Sequence, residues 1–216
     1  MPEQPESPAP TPAPVCRRCG QCCRAGGPAL HLADLPLVRS GTLLRAHLVT
    51  LRRGETVNEN VTGKRIVLTQ EMVKIAGQEK SRACFFHDAT LRACRIHPNH
   101  PLECRTLFCE DTAAIRAIYQ QDRLTRADIL NARGGLWELT RFHDQTFPAD
   151  TAADLARKTK AGRGGAKERL LAMARAETSF RQTFQEKTGA AVRELDFYFG
   201  RSLTRICLQF GIRLAL

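Results

Sequence analysis

The sequence predicts an α-dominant fold with little β, in which a small loop-rich module packs against several helices. Three observations predict it. Eight of the nine cysteines crowd between Cys16 and Cys109, among glycines and prolines and with little sustained periodicity. After Cys109 the texture turns helical, with apolar residues recurring at three- and four-residue spacing. Before Cys16 the chain is proline-rich and has no apolar run. A length of 216 residues accommodates one mid-sized domain, or a module with a helical extension. Contents of 43% hydrophobic and 25% charged residues are those of a globular chain.

Taken in order, residues 1–15 (MPEQPESPAPTPAPV) read as a disordered arm, residues 16–110 as the cysteine module, and residues 111–216 as a helical extension packing on it. The arm lacks the basic start and continuous apolar stretch of a secretory signal, and nowhere do about 20 apolar residues run together, so the expected protein is soluble, cytoplasmic and free of membrane contact. Gly20, Gly26, Gly27 and Pro28 argue for tight loops beside the first cysteines. Arg65 to Leu68 and Met72 to Ala76 read as short strands or one hairpin. Beyond the cysteines, Asp111 or Thr112 can cap a helix striped by Ile115, Ile118 and Tyr119, and Thr125 with Asp128 forms a capping-box pattern before Ile129 and Leu130. Gly134 and Gly135 are expected to end that helix, with another around Leu136 to Phe142 carrying Trp137 as a core residue. Lys158 to Gly165 reads as a turn or linker, and Lys167 to Lys187 as a longer helix closed by Gly189. The apolar C-terminal segment DFYFGRSLTRICLQFGIRLAL is expected to fold back onto the module, with Cys207 a buried structural residue.

Chemistry resides in the pattern CRRCGQCC at 16–23, followed by Cys84, Cys94, Cys104 and Cys109 in CFFHDATLRACRIHPNHPLECRTLFC. In a reducing compartment structural disulfides are rare, and clustered thiols are available for metal. Each two-residue gap in CxxCxxC turns the chain so that successive sulfurs face one centre, and bacterial ferredoxins wrap a cluster with that triplet. Zinc sites more often use two separate CxxC pairs, so the pattern favours iron-sulfur, including a 4Fe-4S cluster, over zinc. Adjacent Cys22 and Cys23 diverge by about 100° in a helix and about 180° in a strand, which argues against their sharing one tetrahedral ion. The expected division is Cys16, Cys19 and Cys22 with one distal cysteine, and Cys23 with the other three. The module is therefore read as metal-stapled.

Several polar residues lie beside the cysteines. Arg17, Arg18, Arg24, Arg95 and Arg105 could hydrogen-bond to thiolate sulfur, and His87, His97 and His100 could each replace a thiol. His31 and His47 have no evident partner in the pattern. Glu103, Glu110 and Asp111 read as solvated charges or a helix start, with a catalytic base as the alternative. The formal charge of +11 counts every thiol as neutral, and two four-thiolate metal sites lower it to about +7.

CxxCGxCC, followed some sixty residues later by a cysteine ladder ending in a proline and a cysteine-arginine pair, resembles the YkgJ-type CxxCxxCC cysteine-cluster family. The resemblance implies zinc or iron chelation by Cys16, Cys19, Cys22, Cys23, Cys84, Cys94 and Cys104, with Cys109 an addition. Similar motifs in flagellin lysine methylases imply an iron-sulfur cluster there. One departure is His100, where relatives place an arginine before the proline.

The expected function is a metal-binding protein with a redox, electron-transfer or accessory role toward a protein partner. The alternative is a zinc-structured module whose basic surface contacts nucleic acid or an acidic protein. Scattered arginines, a single tryptophan and two tyrosines provide no stacking platform or basic stripe, which disfavours nucleic acid. A P-loop, a dinucleotide glycine fingerprint, a GxSxG elbow and an HExxH pair are all missing from the sequence, so no reaction is assigned.

Overall fold

The computed structural model describes residues 16, 18–59, 63–79 and 81–216. The expected disordered arm over residues 1–15 and Arg17 lie outside the described residues.

Helix dominates, with three small antiparallel pairs of strands. Helix α1 (Gln21–Ala25) carries the first cysteines, and α2 (Leu35–Arg39) follows a 3₁₀ turn. Strands β1 (Leu48–Leu51), β2 (Thr56–Asn58), β3 (Arg65–Val67) and β4 (Met72–Ile75) come next. The two strands expected at 65–68 and 72–76 both form, but not as one hairpin. β3 pairs with β2, while β4 pairs with β1 in the register Leu48↔Ile75 to Leu51↔Met72. Burial decides this. β4 places Val73 and Ile75 in the core against Leu48, whereas β3 is solvent-exposed.

β4 is flanked on its other edge by the segment that leaves the first cysteines. Ile75 N–H donates to the Pro28 carbonyl (3.0 Å) and Leu30 N–H to Val73 (2.9 Å). Gly27 is required here, because a Cβ would overlap the Ile75 carbonyl.

Short strands β5 (His87–Asp88) and β6 (Ala93–Cys94) form a tight hairpin, and α3 (Leu102–Thr106) and α4 (Ala113–Ile118) complete the cysteine pole. α4 starts after Thr112, as its pattern predicts. In α5 (Arg126–Ile129) the Asp128 carboxylate accepts from both the Thr125 N–H (2.8 Å) and its hydroxyl (2.6 Å), which fixes the start of the helix. Gly134 and Gly135 do not end this helix. Leu130 does, and the glycines open α6 (Gly135–Thr146), where Trp137 is half-buried against the main core.

Lys158 and Lys160 belong to α7 (Ala149–Lys160), so the turn expected at 158–165 is confined to 161–165. An Asp154–Lys158 ion pair of 2.7 Å and an alanine-rich face extend the helix through those lysines. α8 (Ala166–Thr188) ends at Gly189, whose φ of +68° is the left-handed cap expected. α9 (Leu195–Phe199) and α10 (Leu203–Leu208) form the returning C-terminal segment.

The principal core unites both halves of the chain, joining Leu30, Leu48, Val73 and Phe86 with Leu124, Phe197 and Phe199. A second core lies between α7, α8 and α10, where Ala152, Ala156 and Leu170 surround the fully buried Cys207. Burial pushes the Cys207 thiol up to about 11, as befits an inert structural cysteine. Among the described residues no helix is long and apolar enough to cross a membrane.

Candidate metal centre

The cysteines reach one another through backbone fastening. Gly20 adopts φ +73° and turns the chain into α1, so that Cys19 leads into Cys22 and Cys23. The Cys84 N–H donates to the Cys23 carbonyl (2.7 Å), which ties the distal cysteines to the first group across about sixty residues of sequence. In the β5/β6 hairpin, His87 faces Cys94.

Two carboxylates then hold α3, and with it Cys104, against the segment after α1. Asp34 Oδ1 accepts from Leu102 N–H (2.8 Å) and its Oδ2 from His31 N–H (3.0 Å). Glu103 Oε2 accepts from Ala29 N–H (2.9 Å), and its Oε1 lies 3.4 Å from His31 Nε2. The His31 Nδ1 donates to the Gln121 carbonyl (2.8 Å). Glu103 is thus a fastening group and not a solvated charge, and His31 has the partners its sequence context hid.

Cys16, Cys19, Cys22, Cys23, Cys84, Cys94, Cys104 and Cys109 all line one cavity of about 760 Å³, together with His87, His97 and His100. Cys16, Cys19 and Cys109 are exposed, Cys84 is buried, and the other four are half-buried. Among the described residues no three His, Cys, Asp or Glu side chains already stand around a common point as a metal ion requires. The thiols face one chamber.

A hydrogen bond from the Cys23 thiol outweighs burial and brings Cys22 from 9.0 down to about 6. The same hydrogen bond, reinforced by burial, pushes Cys23 up. Adjacent residues on a helix were expected to diverge, yet these two thiols interact within the five-residue α1. Burial raises Cys84, Cys94 and Cys104, and the neighbouring thiolates raise them further. Among these five thiols only Cys22 favours the charged form at neutral pH.

Three of the described arginines beside the cysteines bond to backbone carbonyls. Arg24 donates to the Cys19 carbonyl (3.3 Å), Arg105 to the His100 carbonyl (2.9 Å), and Arg95 lies over the Phe85 ring while bonding the Phe85 carbonyl. Their guanidinium groups brace the loops. At Arg18 the backbone N–H, not the side chain, reaches the Cys16 sulfur (3.4 Å). His47 stacks on Phe85 at 4.7 Å.

Three cations outside the cysteine pattern line the cavity, Lys74, Arg116 and Arg123. Lys74 of β4 lines the cavity, where burial lowers its pKa against the opposing pull of Glu103 and Cys84. The alternation Met72-Val73-Lys74-Ile75 marks Lys74 as facing away from the core, and only the tertiary fold turns that outer face into a chamber wall.

The donor set fits zinc or iron: eight thiols and three imidazoles on one cavity, two of the imidazoles, His87 and His97, with a buried Nε2 that has no hydrogen-bond partner. The family model of the CxxCxxCC domain, to which zinc or iron chelation is ascribed, matches residues 15–122. No curated protein and no solved structure matches the chain significantly. Half of the chain and every cysteine of the cavity fall within the matched residues, and the chain belongs to the CxxCxxCC family.

Proposed function

We propose that Cys16, Cys19, Cys22, Cys23, Cys84, Cys94, Cys104 and Cys109 hold metal, as iron-sulfur in preference to zinc, and that the protein serves a redox, electron-transfer or accessory role toward a protein partner. The observation that carries this reading is the convergence of eight thiols on one cavity from segments far apart in the chain. The CxxCxxC spacing is what favours a cluster over zinc. An iron-sulfur cluster bound there supplies one-electron transfer, and zinc in its place supplies a structural crosslink.

Cys16, Cys19 and Cys22 with one distal cysteine form one set of donors, and Cys23 with the remaining three forms the other. Cys22 offers a thiolate at neutral pH. Cys23, Cys84, Cys94 and Cys104 must lose protons on binding, so metal uptake releases acid. Lys74 beside Cys84 offsets part of the negative charge that then accumulates.

Anaerobic purification from the native host, followed by elemental analysis, sulfide assay and a visible spectrum, tests the reading. Brown protein carrying iron and labile sulfide is expected. Colourless, zinc-loaded protein under the same conditions overturns the iron-sulfur assignment, and protein with neither metal overturns metal binding altogether. A single cluster per chain, with Cys23 and several distal cysteines freely alkylated, overturns the four-and-four division.

A further inference from the structure

Among the described residues five buried side-chain nitrogen or oxygen atoms lack a hydrogen-bond partner, and two of them are the Nε2 atoms of His87 and His97. Both rings line the cysteine cavity. His87 is the more enclosed, with 5% of its surface exposed. Its backbone is fixed on both sides: the N–H donates to the Cys84 carbonyl (2.9 Å), and the carbonyl accepts from Gln78 Nε2 (2.7 Å). Across the hairpin it pairs with Cys94.

The ring meanwhile reaches the first cysteine loop. A Cβ placed on Gly20 would stand 2.6 Å from His87 Nε2 and 3.4 Å from Cδ2, so the imidazole edge lies against the turn between Cys19 and Cys22. His87 therefore spans the two groups of cysteines, its backbone with Cys84 and Cys94 and its ring tip beside Gly20, which lies between Cys19 and Cys22 in the chain. A desolvated nitrogen left without a partner is unfavourable, and a thiol-rich cavity is the setting in which a cation would satisfy it.

We propose that His87 Nε2 is a nitrogen ligand of the metal held in this cavity, giving a mixed thiolate and imidazole centre. The inference rests on the metal-binding reading above and puts the imidazole in the place of one thiolate of the four-and-four division. Zinc accepts three thiolates and one imidazole readily, and imidazole ligation of an iron-sulfur cluster raises its reduction potential. His97 is half-buried and stacked on His100 at 4.7 Å, and it serves as the internal comparison.

The test is X-ray absorption at the edge of whichever metal elemental analysis finds in the full-length, anaerobically purified chain. The expected spectrum contains a nitrogen scatterer in addition to sulfur, for zinc at about 2.0–2.1 Å against about 2.3 Å. His87→Gln loses the nitrogen contribution, His97→Gln retains it, and His87→Cys retains the metal with sulfur alone. An all-sulfur spectrum from metal-loaded wild-type protein overturns the proposal without any variant needing to fold, as does a nitrogen contribution that survives His87→Gln. A wild-type chain that takes up neither iron nor zinc overturns the broader reading and this one together, so the two failures are distinct.

Discussion

The side of the molecule around Arg126 and the cysteine pole both bury polar groups, but they satisfy them in opposite ways. Arg126 is 1% exposed and every one of its side-chain nitrogens has a partner: Nε and Nη2 on Glu71, Nη1 on the Tyr198 carbonyl (2.5 Å), and Nη2 also on Asp144. Glu177, wholly buried, is likewise held by Arg181 and lies 3.4 Å from His143 Nε2. These groups join α5, α6, α8 and α9 around aromatic residues. At the cysteine pole the thiols share one cavity, Cys84 and Cys104 are pushed toward the neutral form, and two imidazole nitrogens stand without partners. The Arg126 guanidinium is satisfied by protein atoms, whereas His87 and His97 at the cysteine pole each keep a buried nitrogen without a partner.

Breaking the Arg126 side carries the largest expected effect. Arg126→Ala leaves Glu71 without its cation and Asp144 with Arg52 alone, and denaturant unfolding is expected to show a loss of about 3–5 kcal/mol. A loss under about 1 kcal/mol shows that the network contributes little.

Cysteine substitutions separate the two regions directly. Cys207→Ser places a hydroxyl in the fully buried α7–α8–α10 core and should lower stability by about 1–3 kcal/mol while leaving the metal content of the anaerobically purified protein unchanged. Cys104→Ser is expected to reverse that order, with metal lost first. Equal metal loss in both variants removes the distinction drawn here.

At the C-terminus of α8, a Cβ on Gly189 meets open space, so Gly189→Ala tests backbone strain alone. The expected cost is about 1 kcal/mol in thermal or denaturant unfolding, with no change in metal content.

The smallest effect on stability, and the sharpest on reactivity, concerns Cys22 in metal-free, reduced protein. Its pKa is lowered, so the thiolate persists down to about pH 6 and is lost below it. Alkylation followed by fragmentation mass spectrometry should show Cys22 reacting with a midpoint near pH 6, while Cys23 and Cys104, both shifted upward, stay unreacted at neutral pH. A Cys22 midpoint near 9 contradicts the hydrogen bond from Cys23.

Local features were readable in the sequence because their causes are local. The Thr125–Asp128 start of α5, the Gly189 end of α8 and the helical character beyond Cys109 each depend on residues within one turn. The eight cysteines were readable as a group for a similar reason, since thiols at CxxCxxC spacing beside glycines are a poor core pattern whatever surrounds them.

Long-range pairing was not readable in this way. That β4 takes β1 and not β3 as its partner, that Gly27 must pass beneath the Ile75 carbonyl, and that Glu103 fastens α3 to Ala29 all depend on elements separated in sequence. His143 carries no local mark of its burial between Arg52 and Glu177. The sequence by itself determined the α-dominant class, the helix caps and the identity of a cysteine-rich pole, because propensity, capping and thiol spacing act over a few residues. Only the tertiary structure decided that all eight thiols share one cavity, that Lys74 faces into it, and that His87 bridges the two cysteine groups with a nitrogen left unpaired. Those placements follow from which surfaces are buried together.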